Sequence, residues 1–241
     1  MTNWILSKPI AHRGLHNDSD APENSLKAFG YALEQGYPIE LDLNLLSDGN
    51  LAVFHDKDLV RMTGAAGTIH EQDSETIKKL KLSNTEEYIP LLDEVLELVN
   101  GKVPILIEIK NEGEVGELEQ TLLNKLSSYS GEYAIQSFNP LSISWFKQNA
   151  PHILRGQLSG DFRFEENLEW YKKILLRNLL MNWSSSPHFI AYDINALPSI
   201  PVIISRQIFR TPVIAWTIKS DQDKVKALKY ADNIIFDHIS P

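Results

Sequence analysis

The chain has 241 residues, of which 43% are hydrophobic, so it is long enough to bury one large core. Its formal charge of −9 argues against general affinity for nucleic acid or for an anionic membrane, because both partners require a basic face. The absence of cysteine excludes thiolate catalysis, disulfides and cysteine-type zinc sites.

The opening sequence, MTNWILSKPIAHRG, contains neither a long apolar core nor a small-residue cleavage site. No segment of the chain approaches the length that a membrane crossing needs. We therefore expect a cytoplasmic protein without stable membrane insertion. Whether it forms a homo-oligomer stays open.

Short apolar runs rich in β-branched residues predict eight strands. The predicted strands cover residues 8–12, 37–43, 103–109, 132–138, 152–158, 188–194, 212–218 and 233–237. Most of the intervening segments have helical periodicity or turn residues. In the first of them, SLKAFGYALEQG, Asn24 or Ser25 can cap a helix that Gly36 ends. Further helices are predicted at 91–101, 115–129, 141–150, 165–180 and 221–231.

The regular alternation of strand and helix indicates a parallel sheet, and eight strands indicate closure into an α/β fold of the (β/α)8 TIM barrel type. We expect one domain over residues 1–241. A polar segment at about 56–88, which contains Gly64 and Gly67, interrupts the alternation. It is predicted to be a small insertion after the second strand region.

The second predicted strand carries acidic side chains on one face. Glu40, Asp42 and Asn44 alternate with leucines, so these three side chains point the same way. Burying two carboxylates is costly unless a counter-charge is present, and a divalent cation supplies that charge compactly. The segment alone leaves two interpretations open, which are a metal site and a half-exposed strand with its acids in water.

The strand VPILIEIK repeats the arrangement, because Glu108 and Lys110 share one face at its carboxyl end. Barrel enzymes build their sites at that end of the strands. A local surface ion pair is the alternative. Two neighbouring strands that both end in inward acids favour the site.

Two apolar runs end in a histidine, which is His12 in KPIAH and His55 in LAVFHD. A lone histidine at such a position is more often structural than catalytic. Two imidazoles beside an oxygen-liganded metal, Arg13 and Lys110 nevertheless form a set that suits phosphodiester cleavage. The cations would neutralise the phosphate, while one histidine takes a proton and the other returns one.

An ordered series of motifs resembles the glycerophosphodiester phosphodiesterase family, whose GDPD domain belongs to the PLC-like phosphodiesterases. The resemblance runs from His12 almost to the carboxyl terminus, and the combination of motifs is far more specific than any one of them. The motifs are AHRG (11–14), PENS (22–25), IELDLNLLSDG (39–49), LAVFHDKDLVRMTG (51–64), IPLLDEVLELV (89–99), LIEIK (106–110), QSFNP (136–140) and AWTI (215–218).

The resemblance implies a TIM barrel with a small inserted subdomain, and it implies roles for some of the charged residues of the motifs. His12 would be the general acid and His55 the general base, an assignment that we make as a hypothesis. Arg13 and Lys110 would hold the phosphate, and Glu23 would orient Arg13. The metal ligands would be Glu40, Asp42 and Glu108, and they would hold one divalent cation, Mg²⁺ or Ca²⁺.

By the same resemblance the substrate would be a small-molecule glycerophosphodiester. Its metal-dependent hydrolysis would release an alcohol such as choline, ethanolamine or glycerol and leave sn-glycerol 3-phosphate. Two alternatives stay open. One is the same chemistry on lysophospholipids or another phosphodiester, and the other is a catalytically silent barrel that binds phosphodiesters.

The carboxyl-terminal motif departs from the family pattern, since Thr217-Ile218-Lys219 stands where Thr-Val-Asn is frequent. This difference concerns the substrate pocket rather than the chemistry. Trp216 and Gln136 each lie near a strand end and are candidates for the wall of the pocket. Packing inside the barrel is the alternative for both residues.

Overall fold

The computed structural model describes residues 4–111, 113–164 and 168–241. All eight predicted strands are present, together with a short ninth strand, β3, that was not predicted. The strands are β1 (Ile10–Ala11), β2 (Ile39–Leu45), β3 (Leu51–Val53), β4 (Ile105–Ile109), β5 (Tyr133–Ser137), β6 (Leu154–Ser159), β7 (Phe189–Asp193), β8 (Val213–Ile218) and β9 (Asn233–Phe236).

The predicted helices are also present, although residues 165–167 of the helix predicted at 165–180 lie outside the described residues. The α-helices are α1 (Leu26–Gln35), α2 (Val60–Thr63), α3 (Ser74–Ile77), α4 (Leu92–Val99), α5 (Glu117–Leu126), α6 (Pro140–Asn149), α7 (Trp170–Arg177), α8 (Asn182–Ser185), α9 (Ile200–Gln207) and α10 (Asp221–Tyr230). Short 3₁₀ helices cover Trp4–Leu6, Ile69–Glu71, Phe162–Phe164 and Ile194–Ala196.

Helix α9 was not predicted, because its sequence IPVIISRQ is rich in β-branched residues that lower helix propensity. The helix has a proline in its first turn, a position that needs no backbone N–H. With α9 included, strands and helices alternate along the chain, and the strand order is that of a (β/α)8 barrel. The predicted fold class is therefore confirmed.

The described residues group into two compact units. The amino-terminal unit is Ile10–Ala134, and the carboxy-terminal unit consists of residues 4–9 with the described part of Ile135–Pro241. The expectation of a single domain stays a prediction. Among the described residues, none of the helices combines the length and the apolar character that crossing a membrane requires.

In the amino-terminal unit, β2 is paired on both sides. It runs parallel to β4 in a register that sets Asp42 opposite Glu108. It runs parallel to β1 on its other edge, where Ala11 lies opposite Ile39. After the turn that follows β2, β3 runs antiparallel to the carboxyl end of β2. Strand β2 thus pairs with β1 at its amino end, with β4 over residues 39–43 and with β3 at its carboxyl end.

The segment at 56–88 folds around α2, the Ile69–Glu71 3₁₀ helix and α3. Its apolar side chains form a small core together with residues of the β2–β3 hairpin and with Phe54. The buried members of this insertion core are Leu46, Ala52, Phe54, Leu59, Met62, Ile69, Ile77, Leu82 and Ile89.

Helix α1 begins and ends with specific capping. Of the two predicted cap residues, Ser25 is the N-cap, and its hydroxyl accepts a hydrogen bond from the Ala28 N–H. Gly36 ends the helix in the left-handed conformation, as predicted. The turn before α1 packs closely on it, because the position of a Cβ on Gly14 lies 2.8 Å from the Ala28 carbonyl carbon. Gly14 also has a φ of +82°, which a side chain disfavours.

This packing predicts opposite effects for two glycine-to-alanine substitutions in one region. Gly14→Ala should lower the free energy of unfolding by about 2–4 kcal/mol, because it combines a left-handed backbone with a clash. Gly30→Ala, inside α1, is the matched control, because beyond its chain neighbours and the backbone of α1 its Cβ position meets nothing within 4 Å. It should raise the free energy of unfolding by about 0.5–1 kcal/mol through helix propensity. Urea denaturation measures both, and a Gly14→Ala variant as stable as the native chain would contradict this account.

Candidate active site

Three carboxylates meet on the inner face of β2 and β4. A side-chain oxygen of each of Glu40, Asp42 and Glu108 lies within 4.8 Å of the others. Their exposed fractions are 1%, 0% and 6%, so β2 is no half-exposed strand. The register explains the meeting, because partners on adjacent parallel strands point to the same face and Asp42 pairs with Glu108.

Two permanent cations contact this cluster. Lys110 Nζ lies 3.0 Å from Asp42 Oδ1 and also contacts Glu108 Oε1. Arg13 Nε lies 3.0 Å from Asp42 Oδ2. The side chains of Glu108 and Lys110 are only 8% and 18% exposed, so the alternative of a surface ion pair is wrong.

The backbone beside the cluster takes part as well. Arg13 has a φ of +55°, in the left-handed region that few residues with a side chain adopt. In this conformation its backbone N–H donates a 3.1 Å hydrogen bond to Glu40 Oε2. Arg13 therefore contacts two carboxylates of the cluster, Glu40 through its peptide and Asp42 through its guanidinium.

Three carboxylates and two cations leave the cluster with an excess of negative charge. Burial alone would raise the pKa of Asp42, but Lys110 and then Arg13 outweigh burial and hold that pKa below its ordinary value. For Glu40, burial and the negative charges of Asp42 and Glu108 raise the pKa well above its ordinary value. The negative charge of the site thus favours the binding of a further cation.

The donor set fits a divalent metal ion. Asp42 Oδ1 is buried and receives no well-aligned hydrogen bond from the described residues, although Lys110 Nζ is within ion-pair distance. Oxygen ligands alone, with at least two carboxylates, are what Mg²⁺ and Ca²⁺ bind. The residues present are therefore chemically suited to a hard cation.

The β2–β3 hairpin brings His55 back to the cluster. The Phe54 N–H donates to the Asp42 carbonyl oxygen at 2.9 Å, and Asn44 Nδ2 donates to the Phe54 carbonyl oxygen at 2.7 Å. His12 follows β1 directly on the opposite edge of β2. Both histidines therefore border β2, and positive charge on either one lowers the pKa of Asp42.

The predicted partner of Arg13 is in place. Glu23 Oε1 accepts a hydrogen bond from Arg13 Nη1 at 2.9 Å. From the sequence, Asn24 was only one of two candidates for the helix cap. Its side chain is instead buried, and Nδ2 donates to Asp42 Oδ2 at 2.8 Å. The Asn24 side chain also accepts from the Asp42 N–H at 3.3 Å, so it contacts both the carboxylate and the backbone of Asp42.

Sequence reasoning missed two further charged residues, Asp56 and Arg61. Asp56 Oδ1 lies 2.7 Å from His55 Nδ1, and Arg61 bonds to both Asp56 and Glu23. Arg61 belongs to the motif LAVFHDKDLVRMTG, but it lies in the predicted insertion. The available signal was the adjacency of Asp56 to His55, because a carboxylate next to a histidine can orient its ring.

The two pocket candidates lie in the carboxy-terminal unit. Trp216, on β8, packs its ring edge-to-face on Phe138, with the ring centroids 5.6 Å apart. Its indole Nε1 is buried without a hydrogen-bond partner among the described residues. Gln136, on β5, is 1% exposed. A role of either residue in a substrate pocket stays a prediction.

Comparison with known proteins identifies the family. Residues 12–240 match the model of the glycerophosphoryl diester phosphodiesterase family. A glycerophosphodiester phosphodiesterase of Caldanaerobacter subterraneus subsp. tengcongensis is 38% identical over 161 residues, which are 62% of this chain and 65% of that protein. One from Bacillus altitudinis is 34% identical over 168 residues, which are 65% of this chain and 68% of that protein. The chain thus covers about two thirds of the length of these relatives.

Solved structures show the same fold at lower identity. A phosphodiesterase of Oleispira antarctica, in complex with the product sn-glycerol-3-phosphate, superposes with a TM-score of 0.78 at 23% identity and covers 95% of this chain and 92% of that chain. A glycerophosphodiester phosphodiesterase of Thermotoga maritima gives a TM-score of 0.73 at 23% identity, covering 95% and 94%. Since the family model spans nearly the whole chain, the protein belongs to the glycerophosphoryl diester phosphodiesterase family.

Proposed function

We propose that this protein hydrolyses glycerophosphodiesters to sn-glycerol 3-phosphate and an alcohol, with a divalent cation and two histidines. The observation that carries the proposal is the buried cluster of three carboxylates, flanked by Arg13 and Lys110 and with His12 and His55 beside it. Family membership and the names of the relatives support it. So does the product bound to the O. antarctica phosphodiesterase, which is the product expected here.

The metal ligands in this proposal are Glu40, Asp42 and Glu108. Their oxygens already lie close together, and their excess negative charge favours a cation such as Mg²⁺ or Ca²⁺. When bound, such an ion would supply electrostatic stabilisation of the charge on the phosphate oxygens.

Arg13 and Lys110 bind the phosphate in this proposal. Both contact Asp42, which keeps their charged ends at the centre of the cluster. A phosphodiester that enters beside them gains charge-assisted hydrogen bonds from groups that are already oriented. Glu23 and Asn24 hold this arrangement from outside, the first through Arg13 and the second through Asp42.

The histidines move the protons. The attacking oxygen, from water or from the glycerol hydroxyl of the substrate, loses its proton to His55 as its bond to phosphorus forms. The leaving alcohol oxygen gains a proton from His12 as its bond to phosphorus breaks. Attack by water gives glycerol phosphate directly, whereas attack by the hydroxyl gives a cyclic phosphate that water then opens.

A substrate panel tests the proposed activity. With Mg²⁺ or Ca²⁺ added, the purified chain should release sn-glycerol 3-phosphate and choline from glycerophosphocholine, or the corresponding alcohol from a related diester. Both products are followed, and a monoacyl glycerophosphocholine is assayed in parallel. Turnover of the monoacyl compound alone would replace the proposal with a lysophospholipid activity. Binding without any turnover would replace it with a silent barrel.

Polar, uncharged substitutions separate the metal ligands from the histidines. Asp42→Asn should lower both the metal affinity and kcat by about a hundredfold or more, since it removes a ligand charge. His55→Gln should lower kcat while calorimetric metal affinity stays within about threefold of the native value. Glu94→Gln is the control, because that glutamate caps α4 through the Leu91 N–H. Equal loss of metal affinity in all three variants would contradict the assignment, as would full activity in excess chelator.

A change of leaving group identifies the general acid. When the alcohol of the diester is p-nitrophenol, the departing p-nitrophenolate needs no proton. The general acid then becomes dispensable. His12→Gln should lose about a hundredfold in kcat on glycerophosphocholine but less than about tenfold on the p-nitrophenyl diester. His55→Gln should lose activity on both substrates. The reverse pattern would exchange the two roles.

A further inference from the structure

The guanidinium of Arg61 joins two carboxylates. Its Nε lies 2.5 Å from Asp56 Oδ2 and its Nη2 lies 2.9 Å from Asp56 Oδ1. Toward Glu23, its Nη2 lies 2.7 Å from Oε1 and its Nη1 lies 3.1 Å from Oε2. Arg61 therefore forms hydrogen bonds to both oxygens of each carboxylate, which fixes the planes of the carboxylates as well as their positions.

In each carboxylate, one of the oxygens bound by Arg61 also contacts a residue of the proposed site. Asp56 Oδ1 lies 2.7 Å from His55 Nδ1. Glu23 Oε1 accepts from Arg13 Nη1 at 2.9 Å. A continuous path of hydrogen bonds therefore runs from the imidazole of His55 through Arg61 to the guanidinium of Arg13.

The contact with Asp56 determines which nitrogen of His55 carries the proton. Burial alone would raise the pKa of Asp56, but Arg61 and His55 outweigh it and hold that pKa below its ordinary value. An ionised carboxylate only accepts hydrogen bonds, so His55 Nδ1 must be the donor. The other ring nitrogen, Nε2, is then the basic one in the neutral imidazole.

The position of Arg61 is set by the insertion. It lies on the short helix α2 between Leu59 and Met62, which are 1% and 7% exposed in the insertion core. The Arg61 side chain itself is 47% exposed, so solvent screens its ion pairs and they add little to the stability of the fold. Its contacts have more effect on geometry than on stability.

We infer that Arg61 is a positioning residue, which holds the proposed base and the proposed phosphate-binding arginine in one arrangement through Asp56 and Glu23. The inference rests on the proposed function. A planar guanidinium can grip two carboxylates by their edges, whereas the ammonium of lysine is a point charge without that geometry. The insertion thus provides a part of the reaction machinery that touches no reacting atom.

Kinetics of Arg61→Ala test this inference. We expect kcat to fall by about tenfold to a hundredfold. KM should change less than kcat and stay within about threefold, because Arg13 loses only the orientation of Glu23 and keeps its own ion pair with Asp42. Guanidinium chloride at millimolar concentration should restore part of kcat, while methylammonium chloride should not. Arg61→Lys should recover less than half of the loss. Arg206→Met, which removes a similarly bonded arginine from Asp232, is the matched control and should keep native kinetics.

A second measurement does not depend on turnover. The ¹⁵N chemical shifts of the His55 ring, assigned with His55→Gln, should report the Nδ1–H tautomer in the native chain and a mixture of tautomers in Arg61→Ala. Unchanged kcat, a loss that guanidinium does not rescue, or identical ring shifts in both proteins would each overturn the inference. If the native chain hydrolyses no glycerophosphodiester, the proposed function fails, and the ring shifts alone decide the role of Arg61.

Discussion

The parallel register of β2 and β4 sets Asp42 beside Glu108, and the carboxylate cluster of the site depends on this pairing. Two carboxylates on one buried face repel each other and lose their hydration, so their neighbours must supply positive charge. Lys110 and Arg13 supply it from two different segments of the chain. Glu40 adds a third carboxylate on the same strand, which returns the balance to negative. An arrangement with this charge is poorly suited to packing alone but well suited to a metal ion and a phosphate.

The segment between β1 and α1 contributes two residues with left-handed backbone conformations to the same centre. Arg13 and Asn24 both have positive φ, of 55° and 59°, and each contacts a carboxylate of the cluster. Such conformations cost free energy and persist where the surrounding contacts determine them. Gly14, pressed against α1, allows the chain to turn away directly after Arg13. Local strain is thus offset by contacts that orient one guanidinium.

The features that could be predicted from the sequence are those that depend on local patterns of apolar and polar residues. Alternation along β2 was enough to place Glu40 and Asp42 on one face, and a strand-and-helix count was enough for the barrel. Asn24 and Ser25 are equally good caps by local rules, and only tertiary contact with Asp42 distinguishes them. Strand β3 has three residues, too few for a periodic signal.

Arg61 shows why the rest could not be predicted. Its contact with Glu23 spans 38 positions, and both residues lie outside regular strands, so no periodicity relates them. A polar, glycine-containing segment suggests a solvated insertion, and Arg61 is indeed half-exposed. Its hydrogen bonds nevertheless reach the two sides of the site. Residues that act by orienting others carry weak sequence signals, because their effect depends on contacts rather than on residue type and spacing.

The site therefore divides into two layers with different physical demands. The inner layer of carboxylates is buried, so small displacements there change electrostatic energies strongly. The outer layer of Glu23, Asp56 and Arg61 is partly exposed, and screening makes its individual ion pairs weak. Weak pairs can still fix orientation when several hydrogen bonds share one rigid planar group. Because Arg61 is anchored by the insertion core, the correct folding of residues 56–88 becomes a condition for the correct orientation of His55.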